Sequence, residues 1–304
     1  MKKLVPMIVF GTMLFGISLS SQAALKIVAT TQDLAAIAKE VGGEHVQVQS
    51  LTSGTRDPHF AAAKPSMIRK VFRADLLLLI GADMEIGWLP PLLQSARNVK
   101  VLPGNNGHLD VSTGIPLLGK LNVPVSRSMG DVHANGNPHY WLDPRNGVRI
   151  AQVIVNRLIM IDPDNKVDYQ QQLNDFKTRL EARRAVWQSE LRWLKDKPVI
   201  AYHRSFIYLA NAFGFKIVGE VEPKPGISPS VASLTRLIEQ INNNAIELLI
   251  IEPFYERRSA SYLNEKTGIK VAVLPQSVGA QDDIKTYFDL FDSIVMALNQ
   301  FKDK

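Results

Sequence analysis

Leu76-Leu77-Leu78-Leu79-Ile80 is a run of five apolar residues, preceded by Asp75 and followed by Gly81. It is too short for a helix of ordinary length and has no polar face. It therefore reads as a strand covered on both sides, the habit of a parallel sheet flanked by helices. Working outward, short β-rich runs alternate with helical spacing over residues 25–102. Segments 25–29, 46–51, 75–80 and 100–102 read as strands, and 34–41, 65–72 and 88–96 as helices. That is one α/β domain.

The same alternation returns in the second half, with strands expected over 198–202, 216–221, 246–251 and 270–274. Helices are expected over 206–213, 231–242, 259–267 and 284–301. Between the halves, Asp143-Pro144 supplies an N-cap and a first-turn proline for a helix reaching about residue 161. After Asp162-Pro163-Asp164, Tyr169, Leu173, Phe176, Leu180, Trp187, Leu191 and Leu194 fall on one helical face. About 30 residues at a 1.5 Å rise make a rod of roughly 45 Å, long enough to join two domains. The expected division is a signal segment over 1–23, an N-terminal lobe over 24–161, a linking helix over 162–196 and a C-terminal lobe over 197–304.

Lys2 and Lys3, the apolar stretch 4–19 and Ser21-Gln22-Ala23 have the charge, core and small-residue pattern of a cleaved secretory signal. The chain contains no cysteine, which removes disulfides, thiolate ligands and lipid attachment at a signal-site cysteine. A periplasmic protein without a lipid anchor is the expectation. The net charge of +6 includes Lys2 and Lys3, and the remaining basic residues are scattered or share one helix face, so no nucleic-acid patch is expected.

Residues 103–138 are rich in Gly, Asn, Pro and Ser without a sustained period, and they lead into His139. His59 follows the strand 46–51, His203 caps the strand 198–202, and Glu252 ends the strand 246–251. Open α/β sheets collect ligands beyond the carboxyl ends of their strands, so a cleft between two such lobes gathers these residues. A lone histidine is more often structural than a ligand, but three in equivalent strand-end settings point to a transition metal. His45, His108 and His133 read as surface or loop residues. His133, six residues before His139, could reach the metal as a lid residue. The chain has no His-Glu-x-x-His, Gly-x-Ser-x-Gly or phosphate-loop motif, so an enzyme is not expected. A secreted zinc hydrolase remains the alternative from that class, with Glu252 as its nearest base.

Asp57-Pro58-His59, Lys64-Pro65-Ser66, Asn137-Pro138-His139-Tyr140-Trp141-Leu142-Asp143-Pro144, Tyr202-His203-Arg204-Ser205-Phe206 and Ile251-Glu252-Pro253 occur in this order. In them the chain resembles the periplasmic solute-binding proteins of zinc and manganese ABC transporters. The resemblance implies two similar parallel-sheet lobes bridged by one long rigid helix, with the metal in the cleft. It implies His59, His139 and His203 as ligands, Zn²⁺ as the transported ion, an inner-membrane permease as partner and a monomeric chain. Mn²⁺, iron, copper or a chelated metal are the alternatives. The family's usual fourth ligand, an aspartate after the last strand, falls on Gln276 here, which leaves Glu252 and Gln276 as candidates for the fourth position or for its support. The histidine- and acid-rich loop of many zinc members is reduced here to His108 and His133.

Overall fold

The computed structural model describes residues 23–120, 133–222, 224 and 226–302. The expected signal segment, except Ala23, lies outside the described residues, as do residues 121–132 of the long loop.

The N-terminal half builds β1 (Leu25–Ala29), α1 (Gln32–Gly42), β2 (Val46–Ser50), α2 (Pro65–Phe72), β3 (Leu76–Leu79), α3 (Leu89–Ala96) and β4 (His108–Asp110). All pairings are parallel, in the order β2-β1-β3-β4. Every residue of β3 is buried, as its unbroken apolar run requires. The strand cannot continue, because Gly81, Ala82 and Asp83 take φ of 71°, 49° and 66°.

The expected strand over 100–102 is corrected. Residues Val99–Val101 form a 3₁₀ turn, because Asn98 accepts from the Lys100 N–H and donates to the carbonyls of Val71 and Ala74, drawing the chain into a bend. The edge strand is instead His108–Asp110, inside the segment read as loop. Its single apolar residue, Leu109, offers no periodic signal.

The C-terminal half repeats the plan with β5 (Pro198–Ala201), α6 (Ile207–Phe213), β6 (Lys216–Glu220), α7 (Val231–Asn243), β7 (Leu248–Ile251), α8 (Arg258–Thr267) and β8 (Lys270–Val273). Its parallel order β6-β5-β7-β8 matches that of the first sheet strand for strand. Between the sheets run α4 (Pro144–Ile161), capped by the Asp143 side chain with Pro144 in its first turn, and α5 (Lys166–Glu190). The chain closes with α9 (Tyr287–Asn299), started by a reciprocal Thr286–Asp289 capping box.

The long helix α5 has 25 residues, about 37 Å at 1.5 Å per residue, and Leu191 and Leu194 continue its buried stripe through a following turn. It bridges the lobes. Arg179 pairs with Glu40 of α1 at 2.6 Å, while Trp187 donates to Asp292 of α9 at 2.6 Å and stacks on Phe291 with centroids 5.0 Å apart. One apolar core runs between the two sheets and includes α1, α4, α5 and α9. Smaller cores lie beneath α2 and α3 on one outer face and beneath α7 and α8 on the other.

Direct bonds also tie the lobes together. The Trp141 indole N–H donates to the Gln276 carbonyl at 2.8 Å, and Tyr287 Oη donates to the Trp141 carbonyl at 2.5 Å. Asp33 of α1 accepts from Ser277 Oγ at 2.5 Å and from the Val278 N–H at 2.9 Å.

Candidate metal centre

Two tripeptides of the same kind present the first two histidines. In Asp57-Pro58-His59, Asp57 Oδ1 accepts the His59 backbone N–H at 2.9 Å and its ring Nδ1–H at 2.7 Å. In Asn137-Pro138-His139, Asn137 Oδ1 accepts the corresponding groups of His139 at 2.9 and 3.0 Å. The proline fixes φ and has no N–H to compete, so the side-chain turn and the ring bond close together. His203 arrives differently. It stands two residues beyond β5, and its Nδ1–H is held at 2.8 Å by Glu222 Oε2, just past the neighbouring β6.

These acceptors fix the tautomers. A carboxylate only accepts, so the ring nitrogen facing it carries a proton. Asn137 receives a backbone N–H at the same atom, which is therefore its oxygen. All three histidines thus place Nδ1–H on a neighbour and keep the lone pair on Nε2, the arrangement of metal-ligating imidazoles.

His59, His139 and His203 are 8%, 1% and 5% exposed, so their binding nitrogens are almost removed from bulk water. The His59 and His139 centroids are 5.1 Å apart, and His203 lies 6.1 and 5.7 Å from them. Around a tetrahedral zinc with Zn–N near 2.1 Å, neighbouring imidazole centroids stand about 5 Å apart. The two N-terminal histidines meet that spacing, and His203 stands slightly wide. Among the described residues no group of three or more His, Asp or Glu side chains is spaced to hold a metal ion as it stands. On the centroid measure His203 is wide by about 1 Å, a distance that ordinary side-chain adjustment covers.

His133 also enters the cluster, with its centroid 5.1 Å from that of His59 and its Nε2 3.1 Å from His59 Nε2. His45 and His108 do not. His45 bonds Asp168 at 2.8 Å, and His108 in β4 bonds the Val101 carbonyl at 2.9 Å.

The charge pattern follows from burial and neighbours. Burial lowers the His139 imidazolium well below its usual range, and the His59 and His203 charges push in the same direction. Burial takes His133 down to about 3, again with His59 and His203 adding to it. Burial also works against protonated His203, but the Glu222 bond and the charges of Glu252, Glu222 and Asp57 outweigh it and raise its pKa. Burial works to raise Asp57, yet the His59 bond and charge bring it below the ordinary carboxylate range.

Glu252 is fully buried at the end of β7. Ser205 Oγ donates to its Oε1 at 2.6 Å, Oε2 has no partner, and burial raises the carboxyl to about 7. The carboxylate that orients His203 is therefore Glu222, while Glu252 holds Ser205. Gln276 is buried beside Trp141, whose ring lies 5.3 Å from that of His139. Tyr255 spans the lobes, with its hydroxyl 3.3 Å from Asp57 Oδ2 and its ring 5.8 Å from that of His203. The orienting residues Asp57 and Asn137 were legible as Asx-Pro-His repeats. Glu222 carried no such signal, since 19 residues separate it from His203.

Two like lobes joined by a rigid helix, with buried binding nitrogens between them, define a metal-binding, substrate-binding protein of the ABC-transporter type, not an enzyme. The chain belongs to the ZnuA family, zinc-uptake complex component A, periplasmic, whose family model matches residues 27–301. It is 26% identical to the zinc-binding lipoprotein AdcA of Streptococcus pneumoniae over 320 residues, covering all of this chain and 62% of that protein's length. It is 24% identical to the manganese ABC transporter substrate-binding lipoprotein PsaA of Streptococcus anginosus, covering 83% of this chain and 80% of the relative. A crystal structure of ZnuA matches with a TM-score of 0.75 at 24% identity, covering 92% of this chain and 98% of the other, and supports the fold. Both named relatives are lipoproteins, whereas none of the 304 residues here is a cysteine. The family handles zinc or manganese outside the cytoplasm, together with a membrane transporter.

Proposed function

We propose that this protein binds Zn²⁺ through His59, His139 and His203 and delivers it to an ABC-type permease at the inner membrane. It does so as a periplasmic monomer, with lobes 24–161 and 197–304 joined by segment 162–196. The observation that carries this reading is the common setting of the three rings, each with Nδ1–H bonded to an acceptor and Nε2 left to bind. Neutral imidazole suits zinc, whereas manganese prefers carboxylate and carbonyl oxygens. The manganese reading draws support from the PsaA relatives. It is outweighed by three nitrogen donors and by Gln276, a neutral amide where a charged oxygen would serve manganese better. Glu252 and Gln276 support the site and do not bond the metal.

A ligand that binds only the folded state adds RT ln(1 + [L]/Kd), about 4 kcal/mol at a thousandfold excess over Kd. Zinc should therefore raise the melting temperature clearly, and alanine at His59, His139 or His203 should remove most of that rise. Gln276→Ala should leave it nearly whole, and Gln276→Asp should tighten Mn²⁺ proportionally more than Zn²⁺ in competitive titration. A full zinc shift in any one of the three histidine variants removes that residue from the site. Native mass spectrometry of protein purified without added metal identifies the ion carried.

A further inference from the structure

Four of the chain's six histidines share one cluster, and the fourth has a place of its own in it. His133 faces His59 with their Nε2 atoms 3.1 Å apart and their centroids at 5.1 Å. Two imidazole nitrogens carrying lone pairs repel at that distance unless a proton or a cation lies between them. Ligating nitrogens on one tetrahedral zinc stand about 3.4 Å apart and their ring centroids about 5 Å apart. The His59–His133 pair fits both spacings as well as the His59–His139 pair fits the second.

We propose that His133 is the fourth metal ligand, so that the ion sits in a shell of four imidazoles. The inference rests on the three-histidine reading and adds to it. The other candidates for the fourth position are less well placed to bond a metal. Glu252 has Oε1 bonded by Ser205 and Oε2 buried without a partner, but among the described residues neither oxygen bonds any of the four rings, and Gln276 offers only a neutral amide. Among the described residues, His133 differs from the other three in having no bonded neighbour at Nδ1. It reaches the site from the chain just ahead of Asn137-Pro138-His139. It is therefore the ligand held least by its surroundings, and it contributes less affinity than the three oriented rings while setting the nitrogen count of the shell. Four nitrogens favour zinc over manganese more strongly than three nitrogens and a water.

The test uses the full chain and its His133→Ala and His133→Gln variants, with His139→Ala as reference. Zinc affinity is measured against a competing chelator, and the Co²⁺-substituted proteins are examined by visible absorption. The expected result is one zinc per chain in both His133 variants, bound about tenfold or more weakly. The intense ligand-field bands of four-coordinate cobalt should fall as water replaces the ring, and the zinc-to-manganese preference should narrow. Unchanged affinity and an unchanged cobalt spectrum overturn the proposal. Weaker zinc binding with an unchanged cobalt spectrum also overturns it, because His133 would then act without bonding the ion. If His139→Ala retains wild-type zinc affinity, the three-histidine reading itself fails, an outcome separate from the behaviour of His133.

Discussion

Glu222 shows how one side chain sets both proton and metal affinity. Its carboxylate holds the His203 ring at Nδ1 and helps raise that ring's pKa against the effect of burial. Removing a group that orients a metal ligand generally lowers affinity by about 10–100-fold, and Glu222→Ala should do so near neutral pH with little change in fold. The pH dependence carries a second signature. Only neutral imidazole ligates, so a raised pKa makes protons compete for His203 from above the ordinary histidine range, near pH ~6.5, downward. Wild-type zinc affinity should therefore fall as pH drops through that range. In Glu222→Ala the His203 proton is held less tightly, and the slope should flatten. Chelator competition at several pH values measures both effects, and equal slopes in the two proteins would rule out this role for Glu222.

At the level of elements, the crossing of α4 with α5 and α9 depends on Gly147. A Cβ placed there would meet Tyr287 Cε1 at 2.5 Å and Leu180 Cδ2 at 2.9 Å. Two effects oppose each other in Gly147→Ala. Alanine improves helix propensity by about 1 kcal/mol, while overpacking a filled contact costs about 1–3 kcal/mol. The clash should win, because the Tyr287 ring is fully buried and its hydroxyl is bound to the Trp141 carbonyl. We expect a net loss of up to about 2 kcal/mol in urea unfolding. Zinc affinity should weaken as well, since Trp141 lies two residues from His139. A stabilised Gly147→Ala variant would show that the three helices separate more easily than this packing suggests.

For the whole molecule, the junction of the lobes includes a buried carboxylate. Asp33 is fully buried, and burial lifts its pKa to about 7 despite the bonds from Ser277 and Val278. An unfolded aspartate titrates near ~3.9, so between these values the folded state binds a proton that the unfolded state releases. The sign is set by that difference: stability is greatest at the acid end of the window and declines as pH rises from about 4 to about 7. Glu85, buried beneath Thr30 and lifted to about 7, adds in the same direction. His139 and His133, lowered by burial, act in the opposite direction over part of this range, so the Asp33 contribution is read as the difference between metal-free wild type and Asp33→Asn, in which the decline should be smaller. Denaturant midpoints at pH 5 and pH 8 test this. A wild-type change from pH 5 to pH 8 equal to that of Asp33→Asn would mean that the Ser277 and Val278 bonds keep Asp33 ionised.

The sequence by itself determined the parallel α/β lobes, because unbroken apolar runs such as Leu76–Leu79 and a single-faced stripe such as that of α5 are local patterns with one burial that suits them. It also singled out His59 and His139, whose Asx-Pro-His turns are set by neighbouring residues, and His203, which stands at the end of an apolar strand run. It gave no sign of β4, whose three residues become a strand only because β3 offers an open edge. Only the tertiary structure decided that Glu222 orients His203, that Glu252 holds Ser205, and that His133 faces His59. Those pairings join residues far apart in the chain. They depend on how two sheets and three helices pack, which no periodicity in a single segment records.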